Sequence, residues 1–165
     1  MTAPTSPALR APLSAWEEDL FNHFTAHTQK ETDVLGVYAE MAQSSPDGYV
    51  RYLAALLLED EQRHHRIFTQ LANTLASQAS LTPGPDDVPS ISRTEEAADL
   101  GALTQRLVDL EEDDAVELAR LRKELKPVRE TTLWDLLVQL AQRDTEKHLL
   151  ILKFIAGVAK REARH

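Results

Sequence analysis

Between Leu53 and Leu75 the chain carries apolar residues at helical spacing, Leu53, Leu56, Ile67, Leu71 and Leu75, and interrupts them midway with Asp60, Glu61 and His64. Acid and imidazole on the inward side of a helix are costly to bury unless they are paired or hold a cation. A second stretch repeats the interruption: Leu136, Leu137 and Leu140, then Asp144 and His148, then Ile151, Ile155 and Val158. Aligned, Asp60-Glu61-Gln62-Arg63-His64 and Asp144-Thr145-Glu146-Lys147-His148 share an acid, a base and a histidine in register. This repetition predicts a pseudo-symmetric helical bundle with a polar centre.

Punctuation along the chain sets the number of helices. Residues 1–13 hold three prolines and few large apolar groups, which reads as a disordered arm ahead of a single domain over 14–165. Ser14 and Glu17 have capping-box spacing, and the first helix is expected from Ala15 to Ala42, with Trp16, Leu20, Phe24, Leu35, Tyr38 and Met41 on one face. Ser45-Pro46 reads as an N-cap and first-turn proline, so the second helix returns antiparallel to about Ala76. Pro83, Gly84, Pro85 and Pro89 prevent a helix over 80–92. Ser92 with Glu95 opens a third helix to Leu125, with Leu100, Leu103, Leu107, Leu110, Leu118 and Leu121 inward. Pro127 ends it, and Thr132 with Asp135 opens a fourth that reaches Lys160. The expected fold is all-α, a four-helix bundle with one long crossover between the second and third helices.

Composition removes many functions. At 165 residues one domain buries roughly 70% of the surface its unfolded chain exposes. Without cysteine there is no disulfide, thiolate metal site or cysteine nucleophile. A net charge of -9 argues against nucleic acid, whose phosphates want a basic face. No apolar run spans a bilayer and no signal peptide is recognisable, so no membrane role is expected and the location is read as cytoplasmic. Five scattered glycines leave no phosphate-binding or dinucleotide loop.

Register brings the acids together. Glu31 lies as far before Pro46 as Glu61 lies after it, and Asp114 and Asp144 are likewise equidistant from Arg129. In antiparallel hairpins each pair shares a height about 22 Å from its turn at 1.5 Å per residue, and His64 and His148 follow one turn on. Carboxylates with two imidazoles at mid-bundle suit a di-iron or di-manganese site, because hard oxygen ligands and imidazole hold such ions while bridging carboxylates offset their charge.

On these residues the chain resembles the ferritin-like superfamily, in particular its bacterioferritin and rubrerythrin branches. In that family the first and third helices each give a Glu and the second and fourth each give Glu-x-x-His. Here Glu31 stands on the first helix, Glu61-Gln62-Arg63-His64 on the second, and Glu111 with Asp114 on the third, similar to the rubrerythrin Glu-x-x-Glu. The fourth helix departs: His148 matches, but Thr145 stands where the carboxylate belongs, with Asp144 beside it. The resemblance implies metal ligands among Glu31, Glu61, His64, Glu111, Asp114, Asp144 and His148, iron or manganese as cofactor, and oxidase- or peroxidase-type redox chemistry with no catalytic residue singled out. Metal ions are the implied partners, and a homo-oligomer is compatible with it. The hemerythrin spacing is not met, since Phe68 stands four residues after His64 and Lys153 five after His148.

A different class of reading stays open from the residues alone. Glu61 and His64 also suit a helix surface of paired neighbours, and Asp144 with His148 suits a hydrogen-bonded pair that sets register. His23 and His27 read as packed or surface residues. On that reading the bundle is metal-free and serves as an interaction or oligomerisation module.

Overall fold

The computed structural model describes residues 13–91 and 97–162. Among these, four long helices account for nearly all of the chain: α1 (Ala15–Ser44), α2 (Gly48–Ser80), α3 (Ala97–Glu124) and α4 (Trp134–Glu162), with a single 3-10 turn at Lys126–Val128 and no strand. The all-α class expected from the periodicity is therefore the observed one. Most of the proline-rich arm, and the Ser92 and Glu95 cap expected for α3, lie outside the described residues. No helix among the described residues is long and apolar enough to cross a membrane. The chain divides between Ser90 and Ile91 into two compact units, one an α1–α2 hairpin and the other an α3–α4 hairpin.

Each hairpin closes along one seam. The buried and half-buried positions of α1 include Phe24, Thr28, Glu31, Leu35, Tyr38 and Ala42, and those of α2 include Ala54, Leu58, Glu61, His65, Phe68 and Ala72. Alternating steps of four and three average 3.5 residues, the period at which one helix keeps the same stripe against another. The second hairpin repeats it with Thr104, Val108, Glu111, Ala115, Leu118 and Arg122 on α3, facing Asp135, Val138, Gln142, Thr145, Leu149 and Leu152 on α4. This seam is displaced from the expected leucine stripe of α3, since Leu103 and Leu110 are each 56% exposed. Close approach of two helices selects smaller side chains on parts of the contact line, and Thr104, Val108 and Ala159 are buried there while Leu103, Leu107 and Leu110 flank it.

Local signals set the helix ends, with two corrections. The Ser14–Glu17 capping box forms: the Glu17 N–H donates to Ser14 Oγ at 3.3 Å and the Ser14 N–H to Glu17 Oε2 at 2.7 Å. Ser45 does not cap α2, because it already ends α1, its N–H donating to Met41 O at 3.3 Å. The N-cap of α2 is Asp47, which makes no side-chain capping bond. Instead Arg51 Nη1 holds the turn by donating to the carbonyls of Ser45 at 2.7 Å and Pro46 at 3.1 Å. Thr132 and Asp135 do not form a capping box either. Asp135 is 8% exposed and is taken by Arg122 Nε at 3.3 Å and Arg129 Nε at 3.1 Å. Arg122 reaches on to Gln142 Oε1 at 3.3 Å, so one carboxylate ties α3, the turn and α4 together.

Beyond α2 the chain doubles back. Leu81 takes a left-handed φ of 54°, a strain on the order of 1 kcal/mol for a residue with a Cβ. Asp87 then accepts from Ser77 Oγ at 2.9 Å and from the Gly84 N–H at 2.7 Å, and the Val88 N–H donates to Thr74 Oγ1 at 2.8 Å. A Cβ at Gly84 would stand 3.0 Å from Asp87 Oδ1 and 3.2 Å from Ser77 Oγ, so the glycine is what lets this fold-back close.

Two outcomes are expected. Asp135→Ala leaves two arginines without their shared anion at a half-buried site and should cost about 2 kcal/mol, less than loss from a fully buried pair; urea unfolding measures it. The Ser14 hydroxyl, and then its backbone N–H, holds the Glu17 carboxyl below its ordinary 4.5. A group depressed in the folded state contributes fully above the ordinary value and loses that contribution as pH falls through the lowered one. Amide protection in the first turn of α1 should therefore fade on acidification, and Glu17→Gln should flatten that dependence.

Candidate metal centre

The residue of α1 that is buried is a carboxylate. Glu31 is 6% exposed and no other residue of its helix reaches that class, because it occupies the central position of the seam. Two histidines flank it. His27, one turn earlier, places Nε2 3.1 Å from Glu31 Oε1, and its ring is held against Phe68 of α2, centroids 4.1 Å apart. Phe68 in turn packs on Phe24 at 6.0 Å. On the other side His65 Nδ1 stands 3.9 Å from Glu31 Oε2, too far for a hydrogen bond. Both of these atoms are buried and without a hydrogen-bond partner, and so is Thr69 Oγ1 close by in sequence. A buried polar atom left unpaired costs about 1–3 kcal/mol, so these positions want a ligand.

Glu61 and His64 stand one turn apart on the same side of α2. His64 Nδ1 is 3.8 Å from Glu61 Oε2, with their side chains 47% and 25% exposed respectively. One donor atom each from Glu31, Glu61 and His64 lies within 4.8 Å of the others, which makes them the one such group of three among the described residues. Ligands about 2.1 Å from a tetrahedral ion lie about 3.4 Å from each other. The triad therefore needs only a small contraction, and its donors, carboxylate oxygen and imidazole nitrogen, are those that iron, manganese or zinc accept. The residues present fit a divalent metal.

The second hairpin arranges the same chemistry differently. His148 Nδ1 contacts both oxygens of Glu111, at 3.2 and 3.3 Å, beside an open depression of about 340 Å³ lined with Leu107, Ile151 and Leu152. Thr145 is 3% exposed and donates to Asp114 Oδ2 at 2.9 Å, sharing its proton with the Ala141 carbonyl at 3.3 Å. Asp144 is exposed and pairs with Lys147 one turn on. The α4 seam passes through Thr145 and Leu149, one position away from Asp144 and His148. Of the seven expected ligands, Glu31, Glu61 and His64 come together, Glu111 meets His148, and Asp114 is bound to Thr145.

The sequence pattern gives His65 no role and reads His27 as a packed or surface residue. For His65 the signal is the seam: stepping by four and three from Ala54 through Leu58 and Glu61 arrives at it, whereas His27 lies beside the seam and is found by its i, i+4 spacing to Glu31 on the same helix. Leucine spacing alone does not reveal this line, because its ends are alanines.

Thr145→Val is expected to remove the hydrogen bond that satisfies Asp114 and to lower stability by about 1 kcal/mol, whereas Thr145→Ser should stay close to the wild type; thermal unfolding of the two variants decides. No protein-family model, no curated protein and no solved structure matches the chain, so its chemistry has to be argued from these side chains alone.

Proposed function

We propose that the chain is a ferritin-like metal protein, with the single crossover between α2 and α3 that this topology requires, and that its first hairpin binds a divalent cation through Glu31, Glu61 and His64. The observation that carries the reading is Glu31: a carboxylate in a helix seam, one oxygen held by His27 and the other buried without a partner beside Glu61 and His64. A cation there turns an energetic cost into a stabilising contact, since it compensates two carboxylates that otherwise face each other in a poorly solvated place. His27 fixes the carboxylate's orientation, as partners behind a ligand do. Iron or manganese, when bound, would supply redox chemistry with oxygen or peroxide.

One observation favours a second reading. In the α3–α4 hairpin the acids are already answered by neighbours, Asp114 by Thr145 and Glu111 by His148, which is the closed polar network of a metal-free helical module. The two readings part on metal content.

Loading the full chain anaerobically with ferrous or manganous ion and measuring retained metal tests this. About one ion per chain is expected, with Glu61→Ala losing it and Thr145→Ala keeping it, because a lost carboxylate removes both charge and a coordinating oxygen. Equal metal content in the two variants, or none in the wild type, would leave the metal-free module as the function.

A further inference from the structure

We infer that His65 is a fourth ligand, and that Glu31, Glu61, His64 and His65 form a complete mononuclear site for a borderline divalent cation such as zinc or cobalt, built within the α1–α2 hairpin alone. The inference rests on the metal-binding reading of that hairpin and goes beyond it, since the Glu-x-x-His pattern accounts for His64 and leaves His65 without a part.

Three observations assign it. His65 Nδ1 and Glu31 Oε2 are both buried and both without a hydrogen-bond partner, and their 3.9 Å separation exceeds a hydrogen bond while approaching the spacing of two ligands on one ion. His64 Nδ1 and Glu61 Oε2 repeat the relation at 3.8 Å. Glu31 is fixed from behind through its other oxygen, held at 3.1 Å by His27, so the atom turned towards His65 is the one free to coordinate; the Glu31 side chain is 8% exposed. The α3–α4 hairpin supplies the contrast. Aligning Glu61 with Thr145 and His64 with His148 puts Leu149 at the position of His65, and leucine there closes the seam with no polar atom. Packing thus asks for an apolar residue, and the imidazole at 65 calls for another explanation.

Adjacent histidines on one helix point about 100° apart, and that divergence is useful here. His65 stands on the seam beside Glu31 and His64 beside Glu61; as the side chains stand, His65 is not one of the group of three that lies within 4.8 Å, and the ion would draw its imidazole in to join them. Two imidazoles and two carboxylates make a four-donor set of the kind zinc and cobalt accept, without a bridging carboxylate or a second ion. His27 is a positioning residue: it holds Glu31 and does not itself bind the metal.

Titration of the full chain with Co²⁺ under nitrogen, followed by its visible spectrum, and with Zn²⁺, followed by long-range ¹H–¹⁵N correlation of the histidine rings, tests the assignment. Expected are one ion per chain, a four-coordinate cobalt spectrum, and Zn²⁺-induced shifts of the His64 and His65 Nδ1 resonances, a readout that needs no variant. His65→Ala should weaken cobalt binding by about 100-fold and His27→Ala by about tenfold, each checked for helix content by circular dichroism, while Glu111→Ala and His148→Ala leave affinity unchanged. Binding that disappears in Glu61→Ala but is unaltered in His65→Ala, with the His65 resonances unmoved, would overturn this inference and leave the metal-binding reading standing. A requirement for Glu111 or His148 would equally overturn it. No binding of either ion would remove both.

Discussion

A carboxylate in the middle of a helix seam is the constraint on which the first hairpin depends. Glu31 sits where a two-helix contact line would take leucine or alanine, with His27 on one oxygen and His65 facing the other, while Glu61 across the seam adds a second carboxylate and His64 follows one turn on. Desolvating such a group is expensive in any setting without a compensating cation or hydrogen bonds. Two long helices of ordinary leucine spacing would pair without this expense, so the cost points to a purpose other than stability.

The hairpins also show how a seam limits what it can bury. Two helices share one line of contact, and that line favours small side chains: Ala54, Ala72, Val108, Thr104 and Ala159 are the buried residues there, while larger ones such as Leu103, Leu110 and Phe154 stand off it with more than half of their surface exposed. Polar residues on the line are therefore disproportionately consequential. In α1–α2 they include Glu31, Glu61 and His65; in α3–α4 they include Glu111, Thr145 and the Arg122–Asp135 pair. A glutamate at 145 would have repeated the Glu-x-x-His spacing of α2. With threonine, the same position donates a hydrogen bond to Asp114 and neutralises a demand that the first hairpin leaves open.

Outside the seams, single charged groups latch the connections. Asp135 ties Arg122 and Arg129 across the α3–α4 turn, and Asp87 pins the return of the chain onto the end of α2 through Ser77 and the Gly84 N–H. In both places the carboxylate is bound by partners earlier in the chain, and so fastens a turn rather than a single helix end. At the start of α2, Arg51 holds the turn by donating to two of its carbonyls, where a capping serine would instead have accepted from the first N–H groups of the helix.

The sequence by itself determined the four helices, the Ser14 cap, the hairpin turns and the shared height of Glu31 and Glu61 with His64 one turn on, because each follows from periodicity, capping chemistry and distance from a turn, all of which are local. The meeting of Glu111 with His148 came from the structure alone. Only the tertiary structure decided which stripe of each helix meets its neighbour. The leucine spacing of α3 marks an apolar face more than 100° wide, and the contact line within it was settled by how closely two backbones approach, which favoured Thr104 and Val108 over Leu103 and Leu107. That choice of line is what brings His65 to Glu31 and puts Thr145 on Asp114, whereas His27 with Glu31 and Asp144 with Lys147 are neighbours one turn apart on a single helix. A rotation of one residue about the helix axis would exchange the partners made across the seam, and no pattern within a single helix records those.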